Sequence, residues 1–490
     1  MICVSLVGPS MERVLVDLPK AERYGDCIEL RLDLIENADL PRLIKAASKP
    51  VVITNRTKLE GGNFKGSEQE RVEVLLQAIE LEASYIDIEA STPKELLRPI
   101  LETTSKTQKI LSYHHFSLTP ENLEEYYSIM SETPADIIKI VTYAKDICDN
   151  IIIFNLLRSA RKMGRKLISF CMGELGEISR ILSVHMGSFL TFASLEMGKE
   201  SAPGQIPAEV LREVYRADLI DPKRKIYGVI GNPVNKSMGY VIHNRAFQEN
   251  KLPHIYLPFL VYDVPRFFQT FEPFFDGLSV TMPHKEKIIS SLDKIDTTAQ
   301  KVGAVNTVVR DGETWVGYNT DGSGALRALQ ERIDLNGKEI LIIGSGGAAK
   351  AIGHCLIQNG AQLTVTYNSN RERGQALAKE LNCQLTNIKK LEDRKVDVLI
   401  NCSPVGMAPK VEETPFPADR LQPGMLVFDT VYNPLETKLI KNARSAGCNV
   451  ISGIEMFINQ AVEQFEQWTK QTAPIKVMRK VVLEKLKTHP

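Results

Sequence analysis

Two lysines in this chain sit where they could do chemistry, and the chemistry differs between them. Lys139 lies in the apolar run Ile137-Ile-Lys-Ile-Val141, where a desolvated amine can act as a nucleophile toward a carbonyl carbon. Lys285 closes the run Ser279-Val-Thr-Met-Pro-His-Lys285, upstream of a glycine-rich strand–turn–helix pattern, where an ammonium can protonate a developing alkoxide. Each lysine has its own company of polar residues, and both companies suit a small oxygenated acid.

The residues around Lys139 are carried by short β-branched runs that recur through the first half: Ile2–Val7, Cys27–Leu32, Val51–Thr54, Tyr85–Ile88, Lys109–Tyr113, Ile137–Val141, Leu167–Cys171 and Phe189–Ala193. Charged segments with apolar residues at helical spacing, such as Glu68–Glu82 and Glu121–Ser131, separate them. Strands alternating with helices in this number predict a (β/α)₈ barrel, which takes about 200 to 250 residues. Polar residues cluster on or just after successive strands, where such a barrel keeps its active site. Glu29 and Arg31 fall on the second, and Arg56 and Glu60 follow the third. Asp87 and Glu89 fall on the fourth, His114 and His115 end the fifth, and Lys139 lies in the sixth. Arg180 follows the seventh in Gly176-Glu-Ile-Ser-Arg180, and Ser201-Ala-Pro-Gly-Gln-Ile206 follows the eighth. Charges facing inward on so many strands are costly unless they pair or function.

This run of motifs (Glu29-Leu-Arg31, Arg56 followed by Glu60-Gly-Gly62, Ser112-Tyr-His114, Lys139, Gly176 to Arg180, and Ser201 to Ile206) resembles type I 3-dehydroquinate dehydratase over roughly residues 1–215. The resemblance implies a barrel that removes water from 3-dehydroquinate through an imine on Lys139. It implies that His114 is the general base and later acid, that Glu60 orients it, and that Arg180 holds the substrate carboxylate. Ser201 and Gln205 would close over the mouth, with Glu29, Arg31 and Arg56 lining the pocket. The neighbouring cations Arg31, Arg56 and Arg180 are expected to favour a neutral Lys139. His115 receives no catalytic role.

The pattern breaks at a charged, proline-containing joint, Leu219-Ile-Asp-Pro-Lys-Arg-Lys225, and restarts with the strand Ile226–Ile230. Farther on, the apolar run from Glu339 enters Gly344-Ser-Gly-Gly-Ala-Ala-Lys350, in which Gly344, Gly346 and Gly347 let backbone N–H groups approach a pyrophosphate. After the strand Gln362–Asn368 no acidic residue awaits a ribose 2′-hydroxyl; Asn368-Ser-Asn-Arg-Glu-Arg373 instead offers cations to a 2′-phosphate, favouring NADP.

With Val280-Thr-Met-Pro-His-Lys285, Gly303-Ala-Val-Asn-Thr307, Asn319-Thr-Asp-Gly322, Asn401-Cys-Ser-Pro-Val-Gly-Met407 and Gly453-Ile-Glu-Met-Phe-Ile-Asn-Gln460, residues 225–475 resemble shikimate dehydrogenase. That implies a substrate domain, a Rossmann domain and a returning C-terminal helix, reducing 3-dehydroshikimate to shikimate with NADPH. Lys285 and Asp321 match the catalytic pair. Ser237, Thr281, Asn306, Tyr432 and Gln460 match substrate positions, and Ala348, Asn368, Arg371, Arg373 and Gly453 join the three glycines as cofactor positions. Two departures stand out. The second serine of the family's Ser-x-Ser pair is Gly239 here, a loss that Tyr240 or water would compensate. One phosphate-clamping arginine is replaced at Ser369-Asn370, so NADP preference with weaker discrimination against NAD is expected.

The resulting architecture is α/β, in four parts: a dehydratase barrel at 1–218, a substrate-binding domain at 224–325, a Rossmann domain at 326–453 and C-terminal helices at 454–490. It resembles the plant-type bifunctional fusion of the shikimate pathway. The alternatives are a dehydratase joined to a quinate or shikimate dehydrogenase running oxidatively with NAD, and a sensor that binds the acids without turnover. Intact Lys139, His114, Lys285 and Asp321 argue against the sensor, because binding alone needs neither amine nor proton donor. The remaining composition fits such an enzyme. In 490 residues, 60 basic side chains balance 60 acidic ones, giving no electrostatic case for nucleic acid or an anionic membrane. No apolar stretch reaches about 18 residues. The first residues read as a strand and not a targeting signal, so a cytoplasmic location is expected, or a plastid one if a transit peptide has been removed. The eight histidines and eight cysteines show no metal-ligand spacing, and Cys3, Cys27, Cys171 and Cys402 read as buried thiols.

Overall fold

The computed structural model describes residues 1–234, 237–367, 370–388 and 396–488. By its internal contacts the chain divides into two compact units. One holds Met1–Arg224 with Phe259–Val261 and Arg266–Pro273, and the other holds the remainder.

The first unit contains eight parallel strands: β1 (Ile2–Leu6), β2 (Cys27–Arg31), β3 (Val51–Thr54), β4 (Tyr85–Glu89), β5 (Gln108–His114), β6 (Ile137–Tyr143), β7 (Leu167–Met172) and β8 (Thr191–Ser194). Their order, β7-β6-β5-β4-β3-β2-β1-β8, is that of a nearly closed (β/α)₈ barrel. The expected strands are present with no end shifted by more than two residues. The last begins at Thr191 and not Phe189, and the sixth runs on to Tyr143.

Strand alternation turns this ladder into stacked layers of side chains. Residues 137, 139 and 141 share a face, as do 27, 29 and 31, 85, 87 and 89, and 110, 112 and 114. The register pairs Cys3 with Cys27 and Ser5 with Glu29. It also sets Thr54 beside Asp87 and Ser112 beside Lys139. The lower layer is apolar: Cys3, Cys27, Val52, Ile110, Ile137, Ile168 and Phe192 pack into one core. The layers above it carry the charged residues, with Val141, Phe170 and Met172 among them. A one-residue slip of any strand would move its charges out of the barrel.

The second unit has two sheets. The first is built from β9 (Ile226–Gly231), β10 (Ile255–Leu260), β11 (Gly277–Val280), β12 (Lys294–Ile295), β13 (Thr307–Asp311) and β14 (Thr314–Tyr318), in the order β10-β9-β11-β13-β14-β12. The second comprises β15 (Glu339–Ile343), β16 (Gln362–Tyr367), β17 (Gln384–Asn387), β18 (Val398–Asn401), β19 (Leu426–Asp429) and β20 (Asn449–Ile451). Its order, β17-β16-β15-β18-β19-β20, is the doubly wound nucleotide-binding arrangement, with its switch point between β15 and β18. Ile340 and Ile342 enter one core and Leu341 and Ile343 another, so both faces of this sheet are covered. The helix Gly453–Thr469 then returns to pack on Thr320–Gln330. Among the described residues no helix is long and apolar enough to cross a membrane. Cys3, Cys27 and Cys171 are buried as expected, whereas Cys402 is only half-buried.

Candidate active sites

In the barrel one cavity is lined by Glu29, Arg31, Arg56, Glu60, His114, Lys139, Arg180, Ser201 and Gln205, the positions to which the resemblance assigned a role in that half. Lys139 Nζ lies 2.8 Å from Asp87 Oδ2 and 4.3 Å from the centre of the Phe192 ring. Of the cations expected around it, Arg56 and Arg31 are themselves paired with carboxylates. Arg56 binds Asp87 Oδ1 at 2.8 Å and Glu89 Oε1 at 3.1 Å, and donates to Ser112 Oγ at 2.8 Å. Arg31 makes two bonds to Asp33, of 2.9 and 2.8 Å. Glu89 continues the chain of alternating charge to Arg71, which is fully buried. Burial alone would raise Asp87, but Arg56 and Lys139 hold it well below the usual carboxylate range.

His114 Nδ1 and Glu60 Oε2 are 2.9 Å apart, as an orienting pair requires. Ser91 donates to the other oxygen of Glu60 at 2.6 Å. Burial, followed by the charges of Arg56 and Lys139, pushes His114 well below its ordinary value of 6.5. The imidazole is therefore neutral at neutral pH and able to accept a proton. For a base lowered in this way, protonation and loss of activity come only at pH below 6.5. The acid limb of kcat/KM for dehydration is thus expected below 6.5, and an inflection at or above that value in a pH profile would contradict the environment described here.

Arg180 differs from the other cations. It is buried, its guanidinium lies 4.4 Å over the Phe170 ring, and it makes no ion pair among the described residues. Nη2 donates to Pro203 O at 3.1 Å, while Nε has no partner. Burial pulls this arginine down to about 10, the mark of a cation still waiting for an anion. A substrate carboxylate is the matching ligand. Replacing Arg180 by methionine is expected to raise KM for dehydration roughly 10- to 100-fold, with a smaller change in kcat. Steady-state kinetics check this split. Ser201 and Gln205 hold one another through Ser201 N and Gln205 Oε1 at 2.7 Å. His115 accepts from Leu118 N at 3.2 Å and stays outside the cavity.

In the second unit another cavity gathers Ser237, Thr281, Lys285, Asn306, Asp321, Ala348, Tyr432, Gly453 and Gln460. Lys285 Nζ is hydrogen-bonded to Asp321 Oδ2. Asn306 Nδ2 donates to Asp321 Oδ1 at 2.9 Å and to Thr320 Oγ1 at 3.0 Å, so both of its amide hydrogens are engaged. It thus orients Asp321. Tyr432 stacks on Phe457 with ring centres 4.9 Å apart. Ser279 and Gln464 had no predicted role, yet both line this cavity, joined by a 2.8 Å bond. They are 185 residues apart, which spacing cannot reveal.

A dinucleotide fits the ground beside it. At the switch point Gly344 has φ +111, and a Cβ there would meet Cys402 O at 3.0 Å, so only glycine suits the turn. The helix Gly347–Gln358 begins immediately afterwards, and a Cβ on Gly346 or Gly347 would meet nothing within 4 Å, leaving an open approach to its N-terminus. A further cavity is lined by Gly344, Ser345, Thr366, Tyr367, Asn370 and Ser403. Arg371 and Arg373 are exposed at the start of the next helix, and Asn368 lies outside the described residues. Gly453 is packed tightly, since a Cβ would stand 2.5 Å from Thr430 O.

Fold and sites together define an enzyme of two parts, a barrel built around a buried amine and a dinucleotide-dependent oxidoreductase. The chain matches the family descriptions Type I 3-dehydroquinase over residues 2–222 and Shikimate dehydrogenase substrate binding domain over 229–308. It also matches Shikimate / quinate 5-dehydrogenase over 326–412 and Shikimate 5'-dehydrogenase C-terminal domain over 453–483. It is 36% identical to the chloroplastic bifunctional 3-dehydroquinate dehydratase/shikimate dehydrogenase of Arabidopsis thaliana, over 97% of this chain and 83% of that protein. It is 34% identical to the shikimate biosynthesis protein AroDE of Chlamydia pneumoniae, over 96% of this chain and 95% of that protein. Among solved structures, a shikimate dehydrogenase in complex with NADP+ is 35% identical with a TM-score of 0.53, covering 55% of this chain and 98% of that one. Another, from Listeria monocytogenes with shikimate and NAD, is 33% identical with a TM-score of 0.52, covering 54% of this chain and 98% of that one. The chain belongs to the family of bifunctional 3-dehydroquinate dehydratase/shikimate dehydrogenases.

Proposed function

We propose that each half performs its family's reaction with the residues assembled above. The chain is a bifunctional enzyme of the shikimate pathway, a lyase and an NADP-dependent oxidoreductase. The observation that carries the residue assignment is the pairing of Lys139 with Asp87 beside His114 in one cavity and of Lys285 with Asp321 in the other. The parts run 1–218, 224–325, 326–453 and 454–490, and its substrates are small acids handled in the cytoplasm.

In the barrel, Arg180 holds the carboxylate of 3-dehydroquinate and sets the ketone against Lys139. The amine gives up a proton, adds to the carbonyl carbon and loses water to form an imine. Neutral His114 accepts that proton and returns it to the carbinolamine hydroxyl, which leaves as water, so the imidazole is again neutral for the next step. The cationic imine withdraws electrons, and His114 takes a proton from the adjacent carbon. The protonated imidazole, stabilised by Glu60, then protonates the departing hydroxyl. Hydrolysis frees 3-dehydroshikimate and the amine.

NADPH, when bound, supplies a hydride to the ketone carbon of that product. Lys285 protonates the resulting alkoxide oxygen, and Asp321 holds the ammonium in place and accepts a hydrogen bond from a substrate hydroxyl. Gly344, Gly346, Gly347, Ala348 and Gly453 would hold the dinucleotide, with Arg371 and Arg373 near a 2′-phosphate.

Two measurements test this reading. Borohydride added with 3-dehydroquinate should leave a reduced adduct on the peptide containing Lys139; an adduct on another lysine, or none, would refute the imine assignment. NADPH should give a higher kcat/KM than NADH in 3-dehydroshikimate reduction, and equal values would contradict the cofactor assignment.

A further inference from the structure

Arg71, on the helix Glu68–Glu80, is buried more completely than any cation of the dehydratase cavity, yet it does not line that cavity. Burying a guanidinium is costly unless its hydrogens find partners, and here each nitrogen has one. Nε donates to Glu68 at 3.2 Å, and Nη2 donates to Glu68 Oε2 at 2.8 Å and Thr92 Oγ1 at 2.7 Å. Nη1 donates to Glu89 Oε2 at 2.5 Å and to Asn55 O at 3.4 Å. The other oxygen of Glu89 serves both arms of the active site. Glu89 Oε1 accepts from Arg56 Nη1 at 3.1 Å, and Arg56 holds Asp87, the partner of Lys139. The same oxygen accepts from Thr57 N at 3.2 Å. Thr57 Oγ1 in turn accepts from Glu60 N at 3.3 Å and caps the short turn Lys58–Glu60, which carries the partner of His114. Charge therefore alternates from Lys139 through Asp87, Arg56, Glu89 and Arg71 to Glu68, and of these only Glu68 reaches solvent appreciably.

We propose that Arg71 is a positioning residue for dehydration: by neutralising Glu89 it fixes both the Arg56–Asp87 pair that holds Lys139 and the turn that holds Glu60 against His114. This rests on the imine reading above. Without Arg71, the buried carboxylate of Glu89 has Arg56 alone to balance it and draws that guanidinium off Asp87. The Asp87–Lys139 pair then loses its anchor, and the amine no longer meets the ketone in the geometry that addition needs. Arg180, Ser201 and Gln205 bond to none of these groups among the described residues, so capture of the acid is spared and the loss falls on kcat.

Arg71→Met is expected to lower kcat for dehydration roughly 10- to 100-fold, with KM within about twofold of the parent. Rates are taken per Lys139 adduct trapped by borohydride with 3-dehydroquinate, which counts folded barrels. Arg71→Lys keeps a charge opposite Glu89 and should recover most of the loss. Glu89→Gln made together with Arg71→Met removes the unbalanced carboxylate, while its amide oxygen still accepts from Arg56 and Thr57. This double variant should also recover most of kcat, and should regain the parent's adduct yield if Arg71→Met alone fails to fold. A purely structural arginine predicts the reverse, a double variant as poor as the single one. That result, or an unchanged kcat in Arg71→Met, would overturn the proposal. A parent chain that forms no adduct on Lys139 would remove the imine reading and this proposal with it.

Discussion

Lys139→Met is expected to lose dehydration by roughly 10⁴-fold or more, because among the described residues no other primary amine lines the cavity to form the imine that makes the neighbouring C–H acidic. Its reduction of 3-dehydroshikimate should stay within about twofold of the parent, since Lys139 lies in a different unit from Lys285. Lys139→Arg separates chemistry from structure. Arginine retains a cation opposite Asp87, so the buried charge is still paired, yet it supplies no nucleophilic amine. Both variants should be equally inactive as dehydratases, while Lys139→Arg should be the more stable to heat. Rapid turnover by either would remove the imine from the mechanism.

The second large effect belongs to Lys285. Lys285→Met removes the group that protonates the alkoxide, and reduction is expected to fall roughly 10³- to 10⁴-fold through kcat. Given 3-dehydroquinate and NADPH, this variant should accumulate 3-dehydroshikimate and leave the cofactor unused. Asp321→Asn should cost less, because the amide still accepts a hydrogen bond from Lys285 while its negative charge is lost. Loss of NADPH binding in Lys285→Met, with kcat intact, would place this lysine on the cofactor and not at the reacting oxygen.

Much of this was legible in the sequence because strand alternation is a strict code. Once Ile137, Lys139 and Val141 share a strand, Lys139 must face the same side as its apolar neighbours, and the same holds for Glu29 and for His114. The glycines before the helix Gly347–Gln358 were equally readable, since Gly344 needs a backbone that side chains avoid. Pairing was harder to read. Asp87 was visible as an inward strand residue, but its position between Lys139 and Arg56 depends on how three strands register and how two long side chains fold back. That pairing places an anion, Asp87, beside Lys139 in addition to the cations that line the same cavity. The place of Gln464 in the reductase cavity depends on the returning helix, and it leaves no local signal.

The most direct test of two working sites on one chain is a single reaction mixture of purified protein with 3-dehydroquinate. Before any cofactor is present, absorbance of the conjugated enone should rise. When NADPH is added it should fall, with one NADPH consumed for each shikimate formed. Enone that accumulates but is never consumed, or NADPH oxidised without prior enone, would contradict the account.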